Sequence, residues 1–124
     1  MKTCSFLLLL LLGSTAASAA PDEELGPHRK LEGSYWMYGG GLGDPVPPTA
    51  KDKKVMFSIE GRAARELFDG LGPDKKDLCT EGSGTRVRAR DKDRLSCMRS
   101  AKGEYSCNFG FDLRSGKSIG GIVC

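Results

Sequence analysis

Residues 104–113 read EYSCNFGFDL, and the alternation within them decides the fold. Tyr105, Cys107, Phe109, Phe111 and Leu113 fall on one side, and Glu104, Ser106, Asn108, Gly110 and Asp112 on the other. A period of two over ten residues is a half-buried strand with one apolar and one wet face; a helix would scatter the rings around its circumference. Just before it, AKG at 101–103 fits a three-residue hairpin loop, with Gly103 at the position that needs positive φ. That loop returns the chain to RLSCM at 94–98 and sets Cys97 opposite Cys107. A DKD turn at 91–93 leads back to TRVRAR at 85–90, where Thr85, Val87 and Ala89 alternate with Arg86, Arg88 and Arg90.

Further upstream the period changes. In EGRAARELFDGLG, residues 60–72, the residues Ala63, Ala64, Leu67, Phe68 and Leu71 recur at helical spacing, with Arg62, Arg65, Glu66 and Asp69 on other faces. Ser58 is a candidate cap, and Gly70, Gly72 and Pro73 stop the helix. KVMFSI at 54–59 reads as a short strand. The expectation is an α+β fold over residues 51–124: an antiparallel β-meander of about four to five strands packed on one amphipathic helix, with two disulfides.

Downstream, GFDLRSGKSIGGIVC at 110–124 contains a GKS tripeptide that suggests a phosphate-binding loop. The first glycine of such a loop would have to be residue 111, which is Phe, and SIGGIVC is no helix start. A nucleotide is therefore not expected. The better reading is a hairpin turning at Ser115-Gly116, which sets Phe111 opposite Gly120, Phe109 opposite Ile122 and Cys107 opposite Cys124. Both hairpins then claim Cys107, whose backbone groups can serve only one side in this way. The preferred pairing is Cys79–Cys97 with Cys107–Cys124, which ties down the loop after the helix and the last strand. The alternative is Cys97–Cys107 with Cys79–Cys124.

The first residues read as a signal peptide over 1–19. Lys2 precedes an apolar run from Phe6 to Leu12, and Ala17-Ser18-Ala19 supplies the small residues of a cleavage site. The run is too short to span a bilayer. Processing removes Cys4 and leaves Cys79, Cys97, Cys107 and Cys124, an even count that suits an exported, periplasmic or secreted chain. Neither the cysteine spacing nor the lone His28 fits a zinc site, and no cofactor or metal is implied. Residues 20–50, crowded with Gly and Pro, read as an irregular N-terminal segment. That segment nonetheless holds Tyr35, Trp36 and Tyr38, rings that are rarely left wholly in water.

Charge is uneven: residues 85–124 carry nine basic and four acidic side chains, net +5, against nine basic and twelve acidic, net −3, over 20–84. The basic stripe Arg86, Arg88, Arg90 is a candidate site for a carboxylate- or phosphate-bearing partner, or a device that keeps a strand in solution. The cluster Tyr35, Trp36, Tyr38 is a second candidate, as a stacking surface or as a plug on the sheet. His28 has no nucleophilic partner, and the pairs Glu23/Glu24 and Asp91/Asp93 sit in a tail and a turn, so catalysis finds little support. The run from MFSIEGRAARELFDGL through DLCT, LSCM, GEYSCNFGFDL and GKSIGGIVC resembles small exported, disulfide-bonded bacterial proteins of unassigned activity. That resemblance implies only a periplasmic or secreted setting. The functional expectation is a non-enzymatic, inhibitor- or immunity-like binding protein acting on a protein or an anionic envelope component. The alternatives are a small cell-wall hydrolase and a structural envelope protein with no discrete ligand.

Overall fold

The computed structural model describes residues 16–17 and 25–124, so the expected signal peptide lies almost wholly outside the described residues. Seven strands and one helix follow in the order β1 (Glu32–Gly41), β2 (Asp44–Val46), β3 (Lys54–Glu60), α1 (Gly61–Leu71), β4 (Arg86–Arg90), β5 (Leu95–Arg99), β6 (Tyr105–Asp112) and β7 (Ser118–Ile119). The sheet runs β2-β1-β3-β6-β5-β4, with β7 also paired to β6, and every pairing is antiparallel. This is an α+β fold with two disulfides. The chain leaves β3 at the middle of the sheet and crosses one face as α1. It then returns as the β4–β5–β6 meander, so that β6 pairs with β3.

Packing of α1 follows its periodicity. Ala64 and Phe68 are buried against Ile59, Cys97 and Cys107, with Ala63, Leu71, Tyr105 and Phe109 packed around them. Burying Phe68 alone contributes roughly 2–3 kcal/mol. The expected Ser58 cap is not made: Ser58 lies inside the β3 ladder, and the helix starts after Glu60 without a side-chain cap.

Two strands occupy the segment read as irregular. Glu32–Tyr38 pairs with Lys54–Glu60, and Gly39–Gly41 folds back on Asp44–Val46. Glycines that weaken a free strand are tolerated where a neighbour supplies the ladder, and Gly33 is required there: a Cβ would lie 2.2 Å from the Ser58 carbonyl oxygen. Prolines 47 and 48 end β2 and do nothing to β1. The folded unit thus starts at Glu32, not at residue 51.

The preferred cysteine pairing is overturned. The bridges are Cys97–Cys107 and Cys79–Cys124. Cys97 does face Cys107 across the β5–β6 hairpin, and Gly103 takes φ 86° in its loop. The second hairpin is two residues out of the expected register, since Phe111 faces Ser118 and Gly110 faces Ile119. Asp112 is the cause. Its carboxylate accepts from the N–H groups of Arg114 and Ser115, and its backbone bonds Lys117 and Gly116, which closes a four-residue loop instead of a two-residue one. Residues 120–124 then leave the ladder and cross the face opposite α1, where Gly121 sits on the Phe109 backbone so closely that a Cβ would lie 2.5 Å from its nitrogen. Cys107 points at α1, so Cys124 cannot reach it and bonds Cys79 instead. The same strap makes the expected wet face of β6 partly dry: Asn108 and Gly110 are buried.

Candidate functional site

The arginine stripe faces the helix. In β4 the buried residues Val87 and Ala89 point to the strap side, which turns Arg86, Arg88 and Arg90 toward α1. The helix has no basic residue in its last turn, so its final carbonyls lack a local partner. Arg88 Nη1 donates to the Phe68 carbonyl at 2.9 Å, and Arg90 donates to the carbonyls of Gly72 and Ala89. Arg86 Nε and Arg88 Nε donate to the two carboxylate oxygens of Asp74 at 2.7 and 2.8 Å. The Phe68 ring lies under both guanidiniums, 4.2 Å from that of Arg88 and 5.5 Å from that of Arg86. Held by Arg86 and then Arg88, the Asp74 carboxyl falls from its ordinary 3.8 to about 2. The structure brings the three expected arginines together, and each spends two of its three guanidinium nitrogens on the protein itself.

The three aromatic residues of β1 do not form one cluster, because alternation sends them to opposite faces. Trp36 and Tyr38 stack at 5.5 Å on the strap side, Trp36 at 48% exposure and Tyr38 at 2%. Burial pushes the Tyr38 phenol upward. Next to it Asp52 accepts from the Gly40 N–H at 2.7 Å and pairs with Lys54, which fixes the β1–β2 hairpin. The hydrogen bond from Lys54 and that from Gly40 lower the Asp52 carboxyl.

Tyr35 points the other way and meets partners that sequence reasoning did not assign. Its ring is 6.4 Å from Phe57, which stacks on Phe109 at 5.2 Å, and Phe111 stands edge-on 6.1 Å from Phe109. Four rings from three adjacent strands thus form a row on the α1 face that starts beside the helix core at Phe109 and runs outward to Tyr35 and Phe111. Tyr35 is 68% exposed, and Phe111 and Leu113 beside it are exposed too. Lengths alone foreshadow this: α1 has 11 residues and is about 16 Å long, whereas the eight residues of β6 span about 27 Å. One short helix cannot cover every apolar position of so long a strand.

Two concavities lie among the described residues. An open groove of about 1130 Å³ at the start of α1 is lined by charges of both signs, among them Glu32, Glu60, Arg62, Arg65 and Glu66. A smaller cavity of about 190 Å³ lies under the strap, floored by Val87, Ala89 and Met98. His28 is exposed. Among the described residues, no group of three His, Cys, Asp or Glu side chains is placed to hold a metal ion, and no helix is long and apolar enough to cross a membrane.

No protein-family model, curated protein or solved structure matches the chain.

Proposed function

We propose that the protein is a non-enzymatic, exported binding protein whose partner is another protein, docked on the row Tyr35, Phe57, Phe109 and Phe111. The observation that carries this reading is the exposure of the two ends of that row, Tyr35 and Phe111, joined through the half-buried Phe57 and Phe109: rings gathered from three strands and open at both ends mark an interaction surface. An anionic envelope component is less well supported, because the arginines that would hold it already hold Asp74 and the end of α1. Export is supported by the leader-like pattern of residues 1–19 and by two disulfides, which persist in oxidising compartments. The role is then inhibitor- or immunity-like, occluding a surface of its target.

Affinity capture on the immobilised, oxidised protein tests this reading. The double variant Tyr35→Ser/Phe111→Ser is expected to lose the protein retained by the parent, while Arg86→Ser keeps it. Retention by the apolar row is also expected to survive high salt, since little of it is electrostatic. Equal capture by the parent and the double variant would show that the rings are not the docking surface.

A further inference from the structure

We infer that the free edge of β1 pairs with the same edge of a second copy of this chain, forming an antiparallel two-fold dimer centred on Tyr35. The hydrogen-bonding parity of β1 is fixed from both sides. Pro45 has no N–H, so the bonds between β1 and β2 are made by Gly39 and Gly41, which points the odd-numbered residues outward. On the other flank the Lys53 carbonyl accepts from Leu113 N–H at 2.9 Å, so the odd residues of β3 serve β6 and the even ones serve β1. The N–H and C=O groups of Gly33, Tyr35 and Met37 therefore point away from the sheet. Among the described residues no strand pairs with β1 there, and Glu32–Trp36 are all exposed.

The two edges of the sheet are treated differently. Lys75 N–H donates to the Val87 carbonyl and blunts the β4 edge, and Pro73 lies close by in sequence. From Gly33 to Tyr38 the β1 edge has no charge, no proline and no bridge. An undefended edge of this kind is a template for another strand.

The same stretch of a second copy matches it along its whole length. β2 blocks the lane from Gly39 onward, and β1 begins at Glu32, so the open stretch is Glu32–Tyr38. Turned about Tyr35, this stretch pairs with itself over all seven residues, and outward-pointing residues meet outward-pointing residues. Gly33 falls opposite Met37 of the second copy on the α1 face, and Ser34 falls opposite Trp36 on the strap side. Met37 and Trp36 each meet a small residue, Tyr35 meets its own counterpart, Glu32 meets Tyr38, and no two like charges are opposed. The two Tyr35 rings then join the rows of both copies. A ladder of seven residues is only about 24 Å long, at the small end of specific interfaces, so the pairing is expected to dissociate on dilution.

Self-association is measured without any partner protein, so this inference stands or falls apart from the proposed function. Sedimentation velocity of the oxidised protein over a dilution series is expected to show the mass doubling as concentration rises. Tyr35→Lys, which sets two cations face to face, is expected to stay at the monomer mass throughout. Phe111→Ser, a change in the docking row away from the edge, is expected to dimerise like the parent. Residue-resolved amide exchange gives a second reading that needs no variant. The amides of Tyr35 and Met37 become protected only at high concentration, while those of Ser34, Trp36 and Tyr38 are protected at every concentration. A parent that stays monomeric at millimolar protein overturns the inference. So does a dimer that Tyr35→Lys leaves intact, or one in which the odd-numbered amides exchange freely.

Discussion

Arg88 is the residue on which the helix end depends. Its side chain is 17% exposed, and it joins Asp74, the Phe68 carbonyl and the Phe68 ring in one contact set. Arg88→Gln is expected to lower the unfolding free energy by about 2 kcal/mol, the order expected for charge-assisted hydrogen bonds together with a stacked cation. Chemical denaturation reads the change. Arg88→Lys should recover little of it, because a point charge cannot serve two acceptors and a ring in fixed directions. Acid acts on the same cluster. The Asp74 carboxyl is depressed in the folded state, so its contribution is complete above the ordinary 3.8 and is lost as pH falls toward about 2. Denaturation midpoints in that window should therefore fall more steeply for the parent than for Asp74→Asn. Alternation in TRVRAR placed the arginines on the face opposite Val87 and Ala89 correctly. It does not say which face the helix takes, and so the contacts of these arginines with the end of α1 are not legible in it.

Elements whose signal is local were legible: β6, its hairpin to β5, α1 and β3 all carry their periodicity or turn residue in consecutive positions. β1 and β2 were not, because GSYWMYGGG has no strand pattern of its own and is made a strand by the ladder of β3. The β6–β7 turn was missed for a different reason, a single carboxylate at Asp112 that outcompetes the Ser-Gly turn. That shift of two residues decides the disulfides. In the chain-entropy picture the Cys79–Cys124 bridge, separated by 45 residues, contributes about 4 kcal/mol, and Cys97–Cys107, separated by 10, about 3 kcal/mol. Replacing both Cys79 and Cys124 by Ser is expected to lower stability by about that first figure while the helix signal in circular dichroism persists. Gly121→Ala probes the strap without touching sulfur. Its Cβ would press on the Phe109 backbone, and a loss of about 1–3 kcal/mol is expected in thermal unfolding. An unchanged midpoint would mean that the strap lies elsewhere.

Across the whole molecule, the basic excess of residues 85–124 suggests an anionic partner, yet Arg86, Arg88 and Arg90 of that segment are engaged by Asp74 and by carbonyls at the end of α1. The exposed rings Tyr35 and Phe111 lie on the side of the sheet built from β1, β3 and β6. Trp36, the one tryptophan of the chain, sits on the edge strand at 48% exposure, so its emission reports on that region alone. Burial of Trp36 at the β1 edge is expected to shift its emission to shorter wavelength, whereas a ligand in the charged groove should leave it unchanged. The two bridges are nested, the ring closed by Cys79 and Cys124 enclosing that of Cys97 and Cys107, and together they gather β4 to β7 into one covalent loop. β1, β2, β3 and α1 lie outside that loop and are held by reversible contacts only. A protease nick between Cys79 and Cys124 would leave its fragments tethered until a reductant is added, whereas a nick in the β1–β3 region would leave a piece held by the ladder and packing alone. Separating the edge strand from β3 requires no thiol chemistry. Redox conditions thus act on the half of the sheet that holds β4 to β7.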